Sequence, residues 1–311
     1  MSKKRSDATD SGRKQMGTPP KATVCLVTSC DAKFFDMARN LIRSLRRYAG
    51  SQSVPNLRLD KKFLNMDCTG EQLAWLHDSD FTVIDMDQGP APTISGAPLH
   101  YRAQTCRPYL PDYFPGYDVY IWMDADTWVL SPTALPEYVQ AALDRPSALV
   151  AVQEVDPAYR IFSDPGQARV YYSDNDQRIR RFYPPELAEG LKQLPRFNDG
   201  VFALHQSSPY WILWRTIMQD ALNQGYEYFH DQDSLNVAVL LQKEVSLLPA
   251  QYNWLCAMAA MPVKNSRGHW CKPYAPREEL QILHLIASGK LLSSGYTIGD
   301  LYRRTGLFFA D

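Results

Sequence analysis

The sequence predicts an α/β fold in which a mostly parallel central sheet is flanked by helices, and three observations lead there. Val119–Met123 (VYIWM) is an unbroken apolar run, the pattern of a strand covered on both faces. Short β-prone runs alternate along the chain with amphipathic stretches of helical period, as they do where parallel strands are joined by helical crossovers. The chain also opens on that unit, with TVCLVTS at 23–29, a short loop, and a helical pattern at 36–49.

Taken in order, residues 1–20 are polar and rich in Lys, Ser, Asp and Gly, so they are expected to form a disordered leader. The 36–49 helix sets Leu41, Ile42, Leu45, Tyr48 and Ala49 at helical spacing. Arg39, Arg43, Arg46 and Arg47 fall largely on other sides, and Gly50 offers a C-terminal cap. Between strand and helix, Ser29-Cys30-Asp31-Ala32 is either a plain βα turn or, at a strand C-terminus, a seat for a nucleotide base. A strand at 81–86 is followed by an irregular Gly/Pro-rich segment at 88–98. Residues 101–113 then carry Arg102 and Arg107 toward the acidic strand.

Past Val129, Ser131 and Pro132 read as N-cap and first residue of a helix reaching about Leu143, and 148–155 (ALVAVQEV) as a buried strand. Residues 156–195, with many Tyr, Arg, Asp and Pro, read as an insertion of loops and short helices, a place to build an acceptor site or lid. Phe197-Asn198-Asp199-Gly200 precedes a strand at 201–204. Ser207 or Ser208 with Pro209 opens a helix whose stripe of Tyr210, Leu213, Trp214, Ile217, Met218, Ala221 and Leu222 is core. His230-Asp231-Gln232-Asp233 leads into a helix at 234–241, and carboxylates suit a helix N-terminus. Further strands are expected at 244–248 and 281–286.

The chemistry concentrates after Met123, where the apolar strand runs into Asp124-Ala125-Asp126. A carboxylate there needs a partner or a metal, and the carboxyl edge of a parallel sheet is where ligands bind. If the chain stays extended the two acids share a face; if it turns they part. Either way they form a hard, oxygen-rich half-site for Mg²⁺ or Mn²⁺. Acidic pairs elsewhere commonly cap helices or lie in solvated loops; the buried strand in front sets this one apart. An arginine just upstream suits a pyrophosphate, and His284, in an apolar run, competes with His269 for a ligand role.

Composition narrows the classes. With 45% hydrophobic and 22% charged residues the chain is that of a soluble globular protein, long enough for one large α/β domain or two ordinary ones. A formal net charge of −1 argues against nucleic acid as the main partner. No apolar run is long enough to span a bilayer and the N-terminus lacks a signal-peptide core, so a cytoplasmic location is expected. Cys25, Cys30, Cys68, Cys106, Cys256 and Cys271 form no C-x-x-C pair and are read as reduced and mostly structural.

In matching order over most of residues 23–290, the chain carries LVTSCD at 26–31 and LIRSL at 41–45. Asp124-Ala125-Asp126 follows a Tyr-containing strand, and FNDGV at 197–201, DQDSLN at 231–236 and YNW at 252–254 come after it. In these motifs it resembles the family 8 glycosyltransferases, retaining enzymes with the A-type nucleotide-sugar fold. That resemblance implies a Rossmann-like, mostly parallel sheet in a single catalytic domain over 21–311, with 156–195 as an acceptor-side insertion.

The resemblance also implies roles. Asp124, Asp126 and His284 would bind a divalent cation, usually Mn²⁺, that bridges the phosphates of a UDP-sugar. Lys290, six residues after His284, would bind phosphate and act in catalysis. Thr28, Ser29, Asp31, Arg102, Ala125 and Asp199 would line the nucleotide-sugar site. Asn198, Asp231 and Gln232 would surround the donor sugar, Asp231 and Gln232 as catalytic residues and Gln232 facing the anomeric carbon. The family's Gly three after the His and Pro-Trp after the Lys are here Ala287 and Leu291-Leu292, and Arg102 directly follows Tyr101 where the family spaces Tyr and Arg by two. The expected activity is transfer of a hexose from UDP to a hydroxyl, on a glycan or other acceptor. The competing classes are a two-carboxylate glycoside hydrolase, which needs no metal, and a nucleotide-sugar-binding protein without turnover.

Overall fold

The computed structural model describes residues 22–48, 57–94, 96–99, 101–192, 194–225 and 230–285. The expected leader, the Gly50 cap and Lys290 lie outside the described residues. From the N-terminal side, β1 (Ala22–Cys30), α1 (Phe35–Tyr48), β2 (Leu57–Asn65), α2 (Gly70–Asp78) and β3 (Phe81–Asp85) alternate regularly. Two short helices, α3 (Tyr101–Thr105) and α4 (Leu110–Tyr113), lead to β4 (Val119–Met123), β5 (Thr127–Val129), α5 (Ala134–Asp144) and β6 (Leu149–Gln153). Then come α6 (Pro165–Phe182), α7 (Pro185–Lys192), β7 (Phe197–His205), α8 (Tyr210–Leu222), α9 (Asp231–Gln242) and β8 (Val245–Leu248). Short strands β9 (Trp254–Leu255), β10 (Val263–Lys264), β11 (Trp270–Cys271) and β12 (Ile282–His284) follow.

Seven strands form one sheet in the order β3-β2-β1-β4-β7-β6-β8. All neighbours pair in parallel except β7, which runs antiparallel to both β4 and β6. The chain moves outward from β1 to β3 and returns on the other side of β1 as β4, so strand order reverses between β1 and β4. Open α/β sheets take their ligands beyond the carboxyl ends of the strands at such a point.

Every residue of β4 is buried, and its side chains divide between two core layers. Tyr120 and Trp122 join the layer under α8 and α9, while Val119, Ile121 and Met123 join the one under α1 and α5. The apolar stripe of α8 packs into the first layer as its spacing predicts. All six cysteines are buried and none is bridged. No helix among the described residues is long and apolar enough to cross a membrane.

Four expectations need correction. Neither β2 nor α2 was foreseen, because LRLDKKFLN looks too charged for an interior strand. Its charges are satisfied at the surface: Asp60 accepts from Arg58 at 2.8 Å and from the Tyr117 hydroxyl at 2.6 Å, and Lys62 donates to Thr82 Oγ1 at 3.2 Å. The regular helix α5 begins at Ala134, two residues later than expected, although Ser131 Oγ accepts from Thr133 N as an N-cap would. The 156–195 segment contains one 18-residue helix, α6, in which only Ile179 and Phe182 are buried. Asp164 and Pro165 give it a strong start. Finally, Phe197-Asn198-Asp199-Gly200 lies within β7, and α9 begins at Asp231.

Candidate active site

Beyond Met123 the chain turns: Asp124 N donates to Gly200 O at 2.7 Å, and Thr127 N returns to Asp124 O at 3.0 Å. The two acids therefore leave the strand separately, and a second small sheet, β5-β12-β9, brings a histidine to them. Antiparallel pairing sets His284 opposite Thr127, and Leu285 N donates to Asp126 O at 3.0 Å. His284 Nε2 lies 3.4 Å from Asp126 Oδ1 and 3.7 Å from Asp124 Oδ2. One donor atom from each of the three side chains lies within 4.8 Å of the others.

Gly200 forms the floor of this cluster. A Cβ there would meet His284 Cε1 at 2.2 Å and Asp124 Oδ2 at 2.7 Å, so only glycine leaves the three groups together. The donor set fits a divalent cation such as Mn²⁺ or Mg²⁺: two carboxylates, and an imidazole whose Nδ1 is engaged by Asn253 Oδ1 at 3.1 Å while Nε2 faces the acids.

Arg107, in the turn between α3 and α4, braces the cluster from the side. Its Nη2 lies 2.6 Å from Asp124 Oδ1, and its Nη1 lies 2.5 Å from Asp231 Oδ2 and 2.7 Å from Asp199 Oδ2. The guanidinium also stacks over Trp122, 5.2 Å from the ring centre, and Trp122 Nε1 donates to Asp124 Oδ1 at 2.7 Å. Burial pushes the Asp124 carboxyl up to about 6, against the pull of Arg107 and His284. Burial raises Asp231 well above the carboxylate range, with Arg107 opposing. Burial disfavours the His284 cation, but Asp126 and Asp124 outweigh it and raise the imidazole.

Asn198 and Gln232 meet at a different group. Glu154 Oε1, just past β6, accepts from Gln232 Nε2 at 2.8 Å and from Asn198 Nδ2 at 3.1 Å, and Glu154 Oε2 accepts from the Tyr171 hydroxyl of α6. Gln232 thus turns its amino group to Glu154, leaving its carbonyl oxygen to face elsewhere. Next to it, Asp233 is clamped by Arg178 and Arg196, which tie α6 and the start of β7 to α9.

A cleft of about 260 Å³ opens at the switch point beside Arg107 and the two acids. Ser29, Asp31 and Phe34 line it from the β1 side, Gln104 and Arg107 from the α3 side, and Asp124, Ala125 and Asp126 from β4. Ser29 Oγ donates to Leu64 O at 2.7 Å, and Asp31 caps Phe34 N at 2.8 Å. Thr28 is fully buried, with its Oγ1 lacking a hydrogen-bond partner. Two expected groups sit elsewhere. Arg102 pairs with Asp87 and borders a neighbouring cavity with Thr93 and Leu99, because it points to the opposite side of α3 from Gln104. His269 is half exposed and pairs with Glu279 at 3.1 Å.

Sequence reasoning weighed Arg107 but assigned Arg102, and it gave no role to Glu154, Asn253 or Tyr171. The available signals were the YNW motif around Asn253 and, in Glu154, an acid that ends an apolar run.

This sheet order, with an acidic turn after β4 and a cleft at the switch point, is the fold of the A-type glycosyltransferases. Among solved structures the chain is similar to the galactosyltransferase LgtC, at TM-score 0.54 and 14% identity over 91% of this chain and 94% of that one. It is similar to mouse xyloside xylosyltransferase 1, at TM-score 0.53 and 16% identity over 85% of this chain and 98% of that one. The glycosyltransferase GlyE of Streptococcus pneumoniae TIGR4 matches at TM-score 0.53 and 17% identity, over 94% of this chain and 61% of that one. At such identities the likeness is one of fold. No protein-family model and no curated protein matches the sequence.

Proposed function

We propose that this protein is a retaining glycosyltransferase that moves a hexose from a UDP-sugar to a hydroxyl of a glycan or other acceptor, with Mn²⁺ or Mg²⁺ as cofactor. One observation carries the reading: Asp124 and Asp126 line the switch-point cleft, and His284, from the second sheet, converges on them. The structures it resembles include a galactosyltransferase and a xylosyltransferase, which supports sugar transfer. UDP as the carrier and retention of configuration come from the family resemblance.

In this reading Asp124, Asp126 and His284 hold the cation, which when bound neutralises the diphosphate as the sugar bond breaks. Thr28, Ser29, Asp31 and Ala125 border the nucleoside, and Lys290 holds phosphate. Asn198, Asp199, Asp231 and Gln232 surround the sugar, and Arg107 takes the place that the resemblance gives to Arg102. Asp231 and Asp199 share the Arg107 guanidinium, which disfavours a hydrolase that needs them as an independent acid and base.

The test is transfer itself. With a panel of UDP-sugars and glycan acceptors, one donor is expected to release UDP with Mn²⁺ and to stop with EDTA, and NMR of the first-formed product should show the donor's anomeric configuration. Full turnover in EDTA, or an inverted linkage, contradicts the proposal.

A further inference from the structure

Behind His284 runs a line of buried polar groups that links its ring to the residues proposed to surround the sugar. His284 Nδ1 lies 3.1 Å from Asn253 Oδ1, and Asn253 Nδ2 donates to Asn198 Oδ1 at 2.9 Å. That same Asn198 oxygen accepts the backbone N–H of Gly200 at 3.0 Å, while Asn198 Nδ2 donates to Glu154 at 3.1 Å. Asn253, Asn198 and Glu154 are all buried, so water does not substitute freely for any of these contacts.

The order of donors and acceptors along the line is fixed. A backbone N–H only donates, so Gly200 holds the Asn198 oxygen on its side, and Glu154 takes the amino group on the other. Asn253 must then offer its own amino group to Asn198 and turn its carbonyl oxygen to His284. An amide oxygen only accepts, so the ring proton belongs on Nδ1. Without that oxygen, the favourable place for the proton is Nε2, where it meets Asp126 Oδ1 at 3.4 Å.

We infer that Asn253 is a positioning residue that selects the Nδ1–H form of His284 and so presents the Nε2 lone pair to the cation shared with Asp124 and Asp126. The inference rests on the cation site of the proposed function. Asn253 acts through His284: an aspartate at position 253 keeps an acceptor toward Nδ1, its other oxygen carrying a proton in place of the amino group that meets Asn198, whereas an aliphatic side chain of similar size abolishes the effect.

The experiment reads the ring-nitrogen chemical shifts of His284 in ¹⁵N-labelled, metal-free protein at pH 9, with the signals assigned by their loss in His284→Gln. Wild type and Asn253→Asp are expected to show Nδ1–H, and Asn253→Leu to show Nε2–H. Mn²⁺ affinity should fall about 10–100-fold in Asn253→Leu and largely return in Asn253→Asp. An Nε2–H ring in wild type overturns the inference, as does an unchanged ring in Asn253→Leu. If the Leu variant does not fold, the wild-type and Asp-variant spectra still decide. Mn²⁺ binding by wild type alongside the wrong tautomer sinks the inference and spares the function; no Mn²⁺ binding by wild type sinks the function and the cation half of the inference together.

Discussion

Arg107 Nη2 lies 2.6 Å from Asp124 Oδ1, so the arginine that enters from between two short helices is bound directly to the acid that ends the central strand. Through its other nitrogen Arg107 also pairs with Asp199 and Asp231, from β7 and α9. One cation therefore holds together three elements distant in sequence. Arg107→Ala leaves three enclosed carboxylates without it, and breaking such a pair costs about 3–5 kcal/mol. Denaturant unfolding should show that loss, with Arg107→Lys intermediate because an ammonium does not form the same fork. A loss below about 1 kcal/mol in the Ala variant contradicts this account.

Gly200→Ala tests the floor of the candidate cation site. The added methyl collides with His284 and Asp124, so Mn²⁺ binding should disappear while the circular dichroism spectrum stays that of wild type. Wild-type Mn²⁺ affinity in this variant shows that the three donors do not act together.

Acid stability reports on Asp233. Arg196 and Arg178 outweigh the cost of its burial and hold its carboxyl at about 2, below the ordinary value of 3.8. A depressed carboxylate stabilises the fold above its unfolded value and loses that contribution as the pH falls. The clamp is therefore complete above about pH 4 and lost toward pH 2, and is worth on the order of 2 kcal/mol. Asp233→Asn should flatten the stability profile across that window. An unchanged acid limb in urea melts at pH 2–5 refutes the assignment.

Glu154→Ala removes the group that orients Gln232 and Asn198 together. Misplacing a reacting or binding group by about 1 Å costs roughly 10²-fold in rate. The loss should appear in kcat at saturating donor and Mn²⁺, with a smaller loss in Tyr171→Phe, which spares the carboxylate. A change confined to KM for the donor argues against orientation.

The sheet was legible where burial writes itself into composition. Val119–Met123 is apolar throughout because both faces are covered, and the α8 stripe repeats at helical spacing because one face is. β2 was illegible for the opposite reason: Asp60 pairs with Arg58 two residues away in the same strand, and the remaining contacts, from the Tyr117 and Thr82 hydroxyls, come from outside it and leave no pattern within it. At the site, Asp124 and Asp126 stood out as acids at the end of an apolar run, while His284 lies inside one and took its ligand role from the family resemblance. What brings them together, the pairing of β12 with β5 and the absence of a side chain at Gly200, is tertiary. Arg102 and Arg107 part because Arg102 leaves the five-residue α3 toward Asp87 while Arg107 sits in the turn beyond it and faces Asp124, a break in helical phase that the sequence does not display.

The central claim is a cation at Asp124 and Asp126 that holds the diphosphate of a nucleotide, and titration calorimetry of UDP tests it most directly. Wild type should bind UDP in Mn²⁺ and lose that binding in EDTA, and Asp126→Asn should bind poorly in both. Equal UDP affinity with and without Mn²⁺, or wild-type affinity in Asp126→Asn, contradicts the account.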